Sequence, residues 1–319
     1  MHKHGGDIYR NQGVVDYSAN INFRGMPESV RQAAKDAIDA SVCYPDPQCE
    51  ELKAAIAEKE NVPAEWIFCG NGAADVIFSL VLALKPQKAL LPIPSFYEYR
   101  QALESVGCQI SEILLKEDEA FCLQKRFVNE IPMDTDMVCL CNPNNPTGQL
   151  IDREVLEQVA DYCQKTDTCL LLDECFHDFL EEGSVHTLLP RVKENPKLFV
   201  LRAFTKMYGM AGLRLGYGIC SDTELIRRME QVTQPWNVSV PAQAAGIAAA
   251  REQEFVAVSR QMITEQKKLL LAGLEAAGAK VYGSAANYIF FRAAPGFDTR
   301  MYRAGFMVRM RYCHSKKYT

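Results

Sequence analysis

The sequence has no long hydrophobic run and no excess of charge of one sign. Its longest apolar stretch, Val76 to Leu84, is interrupted by Ser79 and is too short for a transmembrane helix, which needs about 20 residues. No apolar segment follows the first six residues, so a secretory signal peptide is not expected. The 35 Lys and Arg residues against 40 Asp and Glu residues predict neither a nucleic-acid partner nor a membrane partner.

Paired-cysteine motifs are also missing. The twelve cysteines are scattered, and none of them forms a Cys-x-x-Cys pair. This pattern predicts free thiols in a reducing compartment, and therefore a cytoplasmic protein without a metal site.

Short apolar runs alternate with helical stretches, which predicts an α/β fold with a mostly parallel sheet flanked by helices. The expected strands are Trp66–Cys69, Ala89–Pro92, Ile110–Leu115, Met137–Cys141, Cys169–Asp173, Leu198–Arg202 and Leu215–Ile219. The expected helices are Pro27–Ala40, Glu50–Glu60, Ala73–Leu84, Glu98–Val106, Arg153–Lys165, Asp222–Gln231 and Ala242–Glu275.

The domain organisation follows from this alternation. At 319 residues and 48 % hydrophobic, the chain can bury one large core and a smaller one. A hinge is expected at Pro235 to Asn237. Further strands are expected beyond it, at Lys280–Tyr282 and Tyr288–Arg292. We expect a large domain over residues 45–235 and a small α+β domain over residues 236–319.

The run Leu201 to Tyr217 contains Thr205, Lys206 and Arg214. A lysine amine can form a Schiff base, and a hydroxyl and a guanidinium can bind a phosphate, which together suit pyridoxal phosphate. Upstream, Asp173 ends an apolar run and suits the carboxylate that pairs with the cofactor's pyridine nitrogen. We therefore expect Lys206 and Asp173 to be catalytic.

Two further runs carry chemistry. Cys69 to Asp75 reads Cys-Gly-Asn-Gly-Ala-Ala-Asp between a strand and a helix, where backbone N–H groups can approach a phosphate. Cys141 to Gly148 contains Asn145 between two prolines, a turn that presents an amide with little rotational freedom.

These runs, in this order, resemble the fold-type I pyridoxal phosphate enzymes, and the likeness extends from about His4 to about Arg309. The resemblance implies pyridoxal 5'-phosphate as cofactor. It also implies a phosphate cup at Gly72 and Ala73 that Thr205 and Arg214 complete, and it places Asn145 on the cofactor's phenolic oxygen and on the substrate. It gives ring stacking to Phe96, with Tyr97 as the competing residue.

The same resemblance implies a homodimer. The run Cys43 to Pro47 is a rigid turn, and Tyr44 would reach the cofactor phosphate of the neighbouring subunit. The residues before this turn, 1–44, would join the small domain.

Within the family, the chain resembles the histidinol-phosphate aminotransferase group and, more closely, the threonine-phosphate decarboxylases. His4-Gly5-Gly6 and Ser18-Ala19-Asn20-Ile21-Asn22 carry this likeness. It implies substrate binding by His4, Gly5 and Asn20, and decarboxylation of L-threonine O-3-phosphate in cobalamin biosynthesis. Phe176 stands where many aminotransferases have a tyrosine, and the missing hydroxyl fits the decarboxylases better than the histidinol-phosphate group. Transamination of histidinol phosphate or a related phosphorylated amine is the alternative.

The likeness ends near Arg309, which the family would use to bind a substrate anion. A second arginine strand of the family has no counterpart in the tail that follows, where only Arg311 offers a similar charge. The small domain is therefore expected to be shortened at its C-terminus. A pyridoxal phosphate-binding protein without catalysis is a third interpretation.

Overall fold

The computed structural model describes residues 5–310. Within this range the strands are β1 (Val15–Asp16), β2 (Ile67–Gly70), β3 (Lys88–Ile93), β4 (Gln109–Leu114), β5 (Met137–Cys141), β6 (Cys169–Asp173), β7 (Leu198–Ala203), β8 (Gly216–Ile219), β9 (Lys280–Gly283), β10 (Phe290–Arg292) and β11 (Phe306–Met307). The helices are α1 (Glu28–Asp36), α2 (Glu50–Glu60), α3 (Ala73–Leu84), α4 (Tyr97–Ser105), α5 (Arg153–Lys165), α6 (Gly183–His186), α7 (Thr223–Val232), α8 (Val240–Ala250), α9 (Gln253–Ala276) and α10 (Phe297–Arg303).

A seven-stranded sheet forms the centre of the molecule, in the order β2-β8-β7-β6-β5-β3-β4. Strands β3 to β7 pair in parallel with one another, and β8 runs antiparallel to both β7 and β2. Strands β2, β5, β6, β7 and β8 are buried along their whole length, and apolar clusters cover both faces of the sheet, whereas β4 is a partly exposed edge strand. The expected mostly parallel α/β fold is confirmed.

The register of the sheet brings the chemically informative segments to one edge. Strand β2 runs in the same direction as the parallel strands, because β8 is antiparallel to both β2 and β7. The residues after β2, β3, β5, β6 and β7 therefore meet at the carboxyl edge, where ligands of α/β sheets bind. Gly216 of β8 pairs with both Gly70 and Ala203. Asp173 pairs with Cys141 on one side and Leu201 on the other.

Two small sheets lie apart from the central one. Strands β9 and β10 pair antiparallel, with an irregularity between Phe290 and Phe291. Strand β1 pairs in parallel with β11, so the beginning of the described chain is bound to its end. The domain boundaries given above stay a prediction.

The expected helix Ala242–Glu275 is wrong as a single element. Helix α8 ends at Ala250 and α9 begins at Gln253, with Arg251 and Glu252 between them. No glycine or proline marks this break. Tertiary packing produces it, because α8 packs on α1 and α2 while α9 packs on β9.

Smaller differences concern element ends. Helix α1 ends at Asp36, whereas the helix is expected to run to Ala40. A separate 3-10 turn covers Asp39–Val42. Strand β10 starts at Phe290 rather than Tyr288, whose hydroxyl donates to the backbone oxygen of Asn144. The sequence pattern did not predict helix α10 or strands β1 and β11, which are two residues long each.

The eleven cysteines of the described range are all free thiols, as expected. No helix within residues 5–310 is both long enough and apolar enough to cross a membrane.

Candidate active site

The start of α3 and the start of β8 lie together at the edge of the sheet and form a candidate anion site. Gly72 precedes α3 with φ of 87°, a conformation that glycine adopts without strain. A Cβ at Gly72 would lie 2.4 Å from Nη2 of Arg214, and one at Gly216 would lie 2.6 Å from the amide nitrogen of Ala73. Only glycines therefore allow the two backbones and the guanidinium to meet.

The first turn of α3 has no side-chain cap among the described residues. The first amide groups of a helix have no partner within it, and the helix dipole adds partial positive charge there. The Arg214 guanidinium stands over Gly72, and Thr205 is buried just after β7. This arrangement fits a phosphate, which is the anionic part of the expected cofactor.

Lys206 lies half-buried on the loop after β7, and its amine donates to the backbone oxygen of Ala19 at 3.0 Å. Burial lowers the pKa of Lys206, and the positive charges of Arg309 and Arg214 lower it further. A lysine with a lowered pKa is more often neutral, which is the form that attacks a carbonyl.

Asp173 is buried at the end of β6 with hydrogen bonds to both carboxylate oxygens. The Tyr99 hydroxyl donates to Oδ2 at 2.5 Å, and the Cys175 backbone N–H donates to Oδ1 at 2.9 Å. Burial raises the pKa of Asp173 above its usual value, and these two donors offset part of that rise. A carboxylate has about four lone-pair sites, so acceptor capacity remains for a pyridinium N–H.

Phe96 immediately precedes α4, and its ring meets the Tyr99 ring edge-on, with centroids 5.5 Å apart and planes at 73°. Phe96 therefore packs on the tyrosine whose hydroxyl binds Asp173. Tyr97 is also half-buried and stays an alternative for ring stacking.

The Asn-Pro turn after β5 is held by its own side chains. Asn144 donates from Nδ2 to the Pro94 backbone oxygen at 3.0 Å and to Oγ1 of Thr147 at 2.8 Å. Asn145 next to it is buried. At the end of the turn, Gly148 contacts the backbone of Gly283, which leads out of β9.

The two N-terminal signatures form one packed unit. A Cβ at Gly5 would lie 1.9 Å from the Ser18 backbone oxygen, and the Gly6 N–H donates to Oγ of Ser18 at 2.8 Å. Asn20 has φ of 54°, and its backbone oxygen accepts from Nδ2 of Asn287 at 3.0 Å. His4, also expected to bind substrate, lies outside the described residues.

The same unit is bound to the lysine loop. The Asn22 N–H donates to the Lys206 backbone oxygen at 3.0 Å, and its Nδ2 donates to the Met207 backbone oxygen at 2.9 Å. Ser18 to Asn22 therefore cover one side of Lys206.

Arg309 reaches the same region. Burial lowers the pKa of its guanidinium, and the negative charge of Glu98 opposes this effect. Arg309 also affects the pKa of Lys206, so Arg309, Glu98 and Lys206 share one region. The positive charges of Arg309 and Arg214 near Lys206 can attract an anionic cofactor or an anionic substrate.

Tyr44 lies on the surface with 77 % of its area exposed, and its ring stacks on Trp236 at a centroid distance of 4.4 Å. Trp236 is next to Asn237. The backbone oxygen of Asn237 accepts a hydrogen bond from Nδ2 of Asn71, which lies in the run Cys69 to Asp75. The shared site expected at Tyr44 concerns a second subunit and stays a prediction.

Sequence reasoning missed three residues near this site: Tyr99, Asn22 and Asn287. Tyr99 lies in the expected helix Glu98–Val106, and its hydroxyl donates to the Asp173 carboxylate. Asn22, within the N-terminal unit, donates to Met207, 185 residues later, and Asn287 donates to Asn20, 267 residues earlier. No local pattern could have paired them.

The chain matches the model of the family Aminotransferase class I and II over residues 12–303. It is 35 % identical to a threonine-phosphate decarboxylase of Salmonella typhimurium, covering 91 % of this chain and 86 % of that protein. It is 36 % identical to a putative threonine-phosphate decarboxylase of Caldanaerobacter subterraneus subsp. tengcongensis, covering 97 % and 85 %.

Histidinol-phosphate aminotransferases are similar as well. Histidinol-phosphate aminotransferase 1 of Cupriavidus pinatubonensis is 32 % identical, covering 90 % of this chain and 76 % of that protein. Among solved structures, the histidinol-phosphate aminotransferase from Clostridium acetobutylicum superposes with a TM-score of 0.85 at 27 % identity, covering 92 % and 88 %.

Proposed function

The chain belongs to the class I and II aminotransferase family and is a pyridoxal 5'-phosphate-dependent enzyme, and we propose that it decarboxylates L-threonine O-3-phosphate. The product would be (R)-1-amino-2-propanol O-2-phosphate, a precursor in cobalamin biosynthesis. The observation that carries this proposal is the packing of Gly5 and Gly6 on Ser18, beside Lys206. These residues carry the resemblance to the threonine-phosphate decarboxylases rather than to the histidinol-phosphate group.

The candidate anion site, Lys206 and Asp173 support one proposed place for the cofactor. Gly72, Ala73, Thr205 and Arg214 would hold its phosphate, and Lys206 would bind it covalently. When bound, pyridoxal phosphate supplies an acceptor for the electron pair left by a broken bond at the α-carbon. Asp173 would pair with its ring nitrogen, Phe96 would stack on its ring, and Asn145 would bond its phenolic oxygen.

Selection among the bonds at the α-carbon depends on how the substrate's anionic groups are held. Arg309, Asn145, Asn20, Gly5 and His4 are the residues that we assign to this task. A guanidinium binds a carboxylate or phosphate through two parallel hydrogen bonds, so Arg309 can orient as well as attract. The Lys206 amine can return a proton to the α-carbon after carbon dioxide leaves, because a lowered pKa makes its proton easier to give up.

We also propose that the protein works as a homodimer with shared sites. Tyr44 is exposed, and so are Val42 at 90 %, Ile38 at 59 % and Trp236 at 46 %. Large apolar side chains grouped on one surface favour a protein interface. A partner covering this surface would bring Tyr44 towards its own phosphate site.

An assay of three substrates tests the reaction. Threonine phosphate alone should release carbon dioxide without any oxo-acid acceptor, and threonine should react far less because it lacks the phosphate dianion. Histidinol phosphate with 2-oxoglutarate is the comparison, since relatives of that activity are almost as similar. Lys206→Ala provides the background rate. Efficient transamination of histidinol phosphate, or no turnover of either phosphate ester, would reject the proposal.

A further inference from the structure

The bond between Tyr99 and Asp173 is short and fully enclosed. Tyr99 has no exposed surface and Asp173 is 4 % exposed, and their oxygens lie 2.5 Å apart. A tyrosine hydroxyl that donates to a carboxylate is charge-assisted, and such bonds are shorter and stronger than neutral ones. Burial raises the pKa of Tyr99 far above its usual value, and the charge of Asp173 raises it further, so the phenol keeps its proton.

Few other groups could keep Asp173 charged. Cys141 and Cys139 face it from β5, and Cys175 and Glu174 follow it in the chain. Burial raises the pKa of each of these three thiols, so all of them stay neutral, while the charge of Glu174 opposes ionisation of Asp173. Tyr99 is the first of the groups that lower the pKa of Asp173, and Cys175 supplies the others.

Packing alone does not require the Tyr99 hydroxyl. The ring lies in the apolar cluster between the sheet and α3 and α4, among residues such as Ile77, Leu80 and Leu103. A phenylalanine would fill the same space and keep the edge contact with Phe96. The hydroxyl adds its bond to Asp173 and a contact with the Cys141 thiol.

We propose that Tyr99 is a positioning residue that holds Asp173 ionised and oriented for the cofactor's ring nitrogen. The inference rests on the role given to Asp173 under the proposed function. A charged Asp173 keeps the ring nitrogen protonated, and a protonated ring is the better electron acceptor. Tyr99 would thus affect the reaction without touching substrate or cofactor.

Tyr99→Phe tests this directly. In the cofactor-free protein, Asp173 should take up its proton at a pH about one unit higher than in the unaltered chain, because a donor to the charged form is lost. Infrared difference spectra against Asp173→Asn identify the carboxyl band of Asp173. In the holoenzyme, kcat should fall by up to about tenfold, the limit reached if the whole of the lost stabilisation of the charged carboxylate is expressed in the transition state, with a smaller change in KM.

Tyr217→Phe is the matched control. Tyr217 is also buried, and its hydroxyl donates to Oε1 of Glu60 at 2.6 Å. This variant should lose stability but leave the titration of Asp173 unchanged. Should Tyr99→Phe not fold, 3-fluorotyrosine at position 99 is a second probe. Its more acidic phenol is a stronger donor, and it should lower the pH at which Asp173 takes up its proton.

These variants test the role of Asp173 and the role of Tyr99 separately. If Asp173→Asn binds pyridoxal phosphate and turns over normally, the role of Asp173 in the proposed function is wrong. If Asp173→Asn is impaired while Tyr99→Phe titrates and reacts like the unaltered chain, the inference about Tyr99 is wrong. If 3-fluorotyrosine at position 99 leaves the titration of Asp173 unchanged, the inference about Tyr99 is also wrong.

Discussion

The amine of Lys206 donates a hydrogen bond of 3.0 Å to the backbone oxygen of Ala19, 187 residues earlier in the chain. The Asn22 N–H returns a bond to the Lys206 backbone oxygen, also at 3.0 Å. Together with the bond from Asn22 Nδ2 to the Met207 backbone oxygen, these bonds join the lysine loop and the N-terminal unit in both directions. This pairing explains how residues near the start of the chain can affect chemistry at Lys206.

Lys206 should be the residue that carries the cofactor. Borohydride treatment of the holoenzyme should remove its visible absorbance and leave a pyridoxyl group on Lys206, found by peptide mapping. Lys267 is an internal control, because burial lowers its pKa too while its amine donates to the backbone oxygens of Ser284 and Ala286. Label on Lys267, or no chromophore after reconstitution, would contradict the assignment.

Gly216→Ala should weaken cofactor binding. The added methyl group would lie 2.6 Å from the Ala73 amide nitrogen and 2.8 Å from the Gly72 carbonyl carbon. Both are backbone atoms, which cannot relieve the clash by changing rotamer. We expect a loss of about 1–3 kcal/mol in unfolding free energy and a higher dissociation constant for pyridoxal phosphate, measured by fluorescence.

Gly273→Ala is the control for this substitution. Gly273 lies in α9 with open space around its Cβ position, so alanine should stabilise the protein by about 0.5–1 kcal/mol. Cofactor affinity should not change. If Gly216→Ala binds the cofactor as tightly as Gly273→Ala does, the close approach of β8 to α3 is not needed for the cup.

Tyr44→Phe should weaken cofactor binding by roughly 1.5–3 kcal/mol through one lost hydrogen bond to an anion. If the sites are shared, a mixed dimer of Tyr44→Phe and Lys206→Ala chains has one site with both residues intact. Mixing the two weak variants should therefore raise activity. No gain on mixing, or a monomer at working concentration, would exclude a site shared through Tyr44.

Stability at low pH should depend on Glu60. Burial opposes its ionisation, but Arg202 and Lys59 outweigh burial and lower the pKa of Glu60 from 4.5 to about 2. A lowered carboxyl pKa contributes stability above the unfolded-state value, and this contribution is lost as the pH falls from about 4.5 to about 2. The shift corresponds to roughly 3 kcal/mol.

Glu60→Gln should lose most of that contribution at neutral pH and flatten the acid limb of the unfolding free energy. Denaturant unfolding at a series of pH values measures this. Glu224→Gln is the surface control, since its partner Arg227 is exposed and such pairs contribute little. An equal acid dependence in both variants would show that the buried ion pair of Glu60 and Arg202 is not its source.

The sequence by itself determined the ends of the central strands to within one residue. Strands β5 and β6 begin and end where the apolar runs predict, because a strand buried on both faces leaves a continuous apolar signature. The local pattern also placed Asp173 at the end of an apolar run and Lys206 just after another, and the parallel sheet brings these two strand ends to one edge. The pyridoxal phosphate cofactor and the family followed from the same runs.

Tertiary structure alone decided the contacts between distant segments. The break at Arg251, the bond from Tyr99 to Asp173 and the position of Ala19 against Lys206 have no local signal. Hydrophobic periodicity records which face of an element is buried, but not which partner covers it. The residues that hold the catalytic groups therefore became visible only when the sheet and the N-terminal unit were packed together.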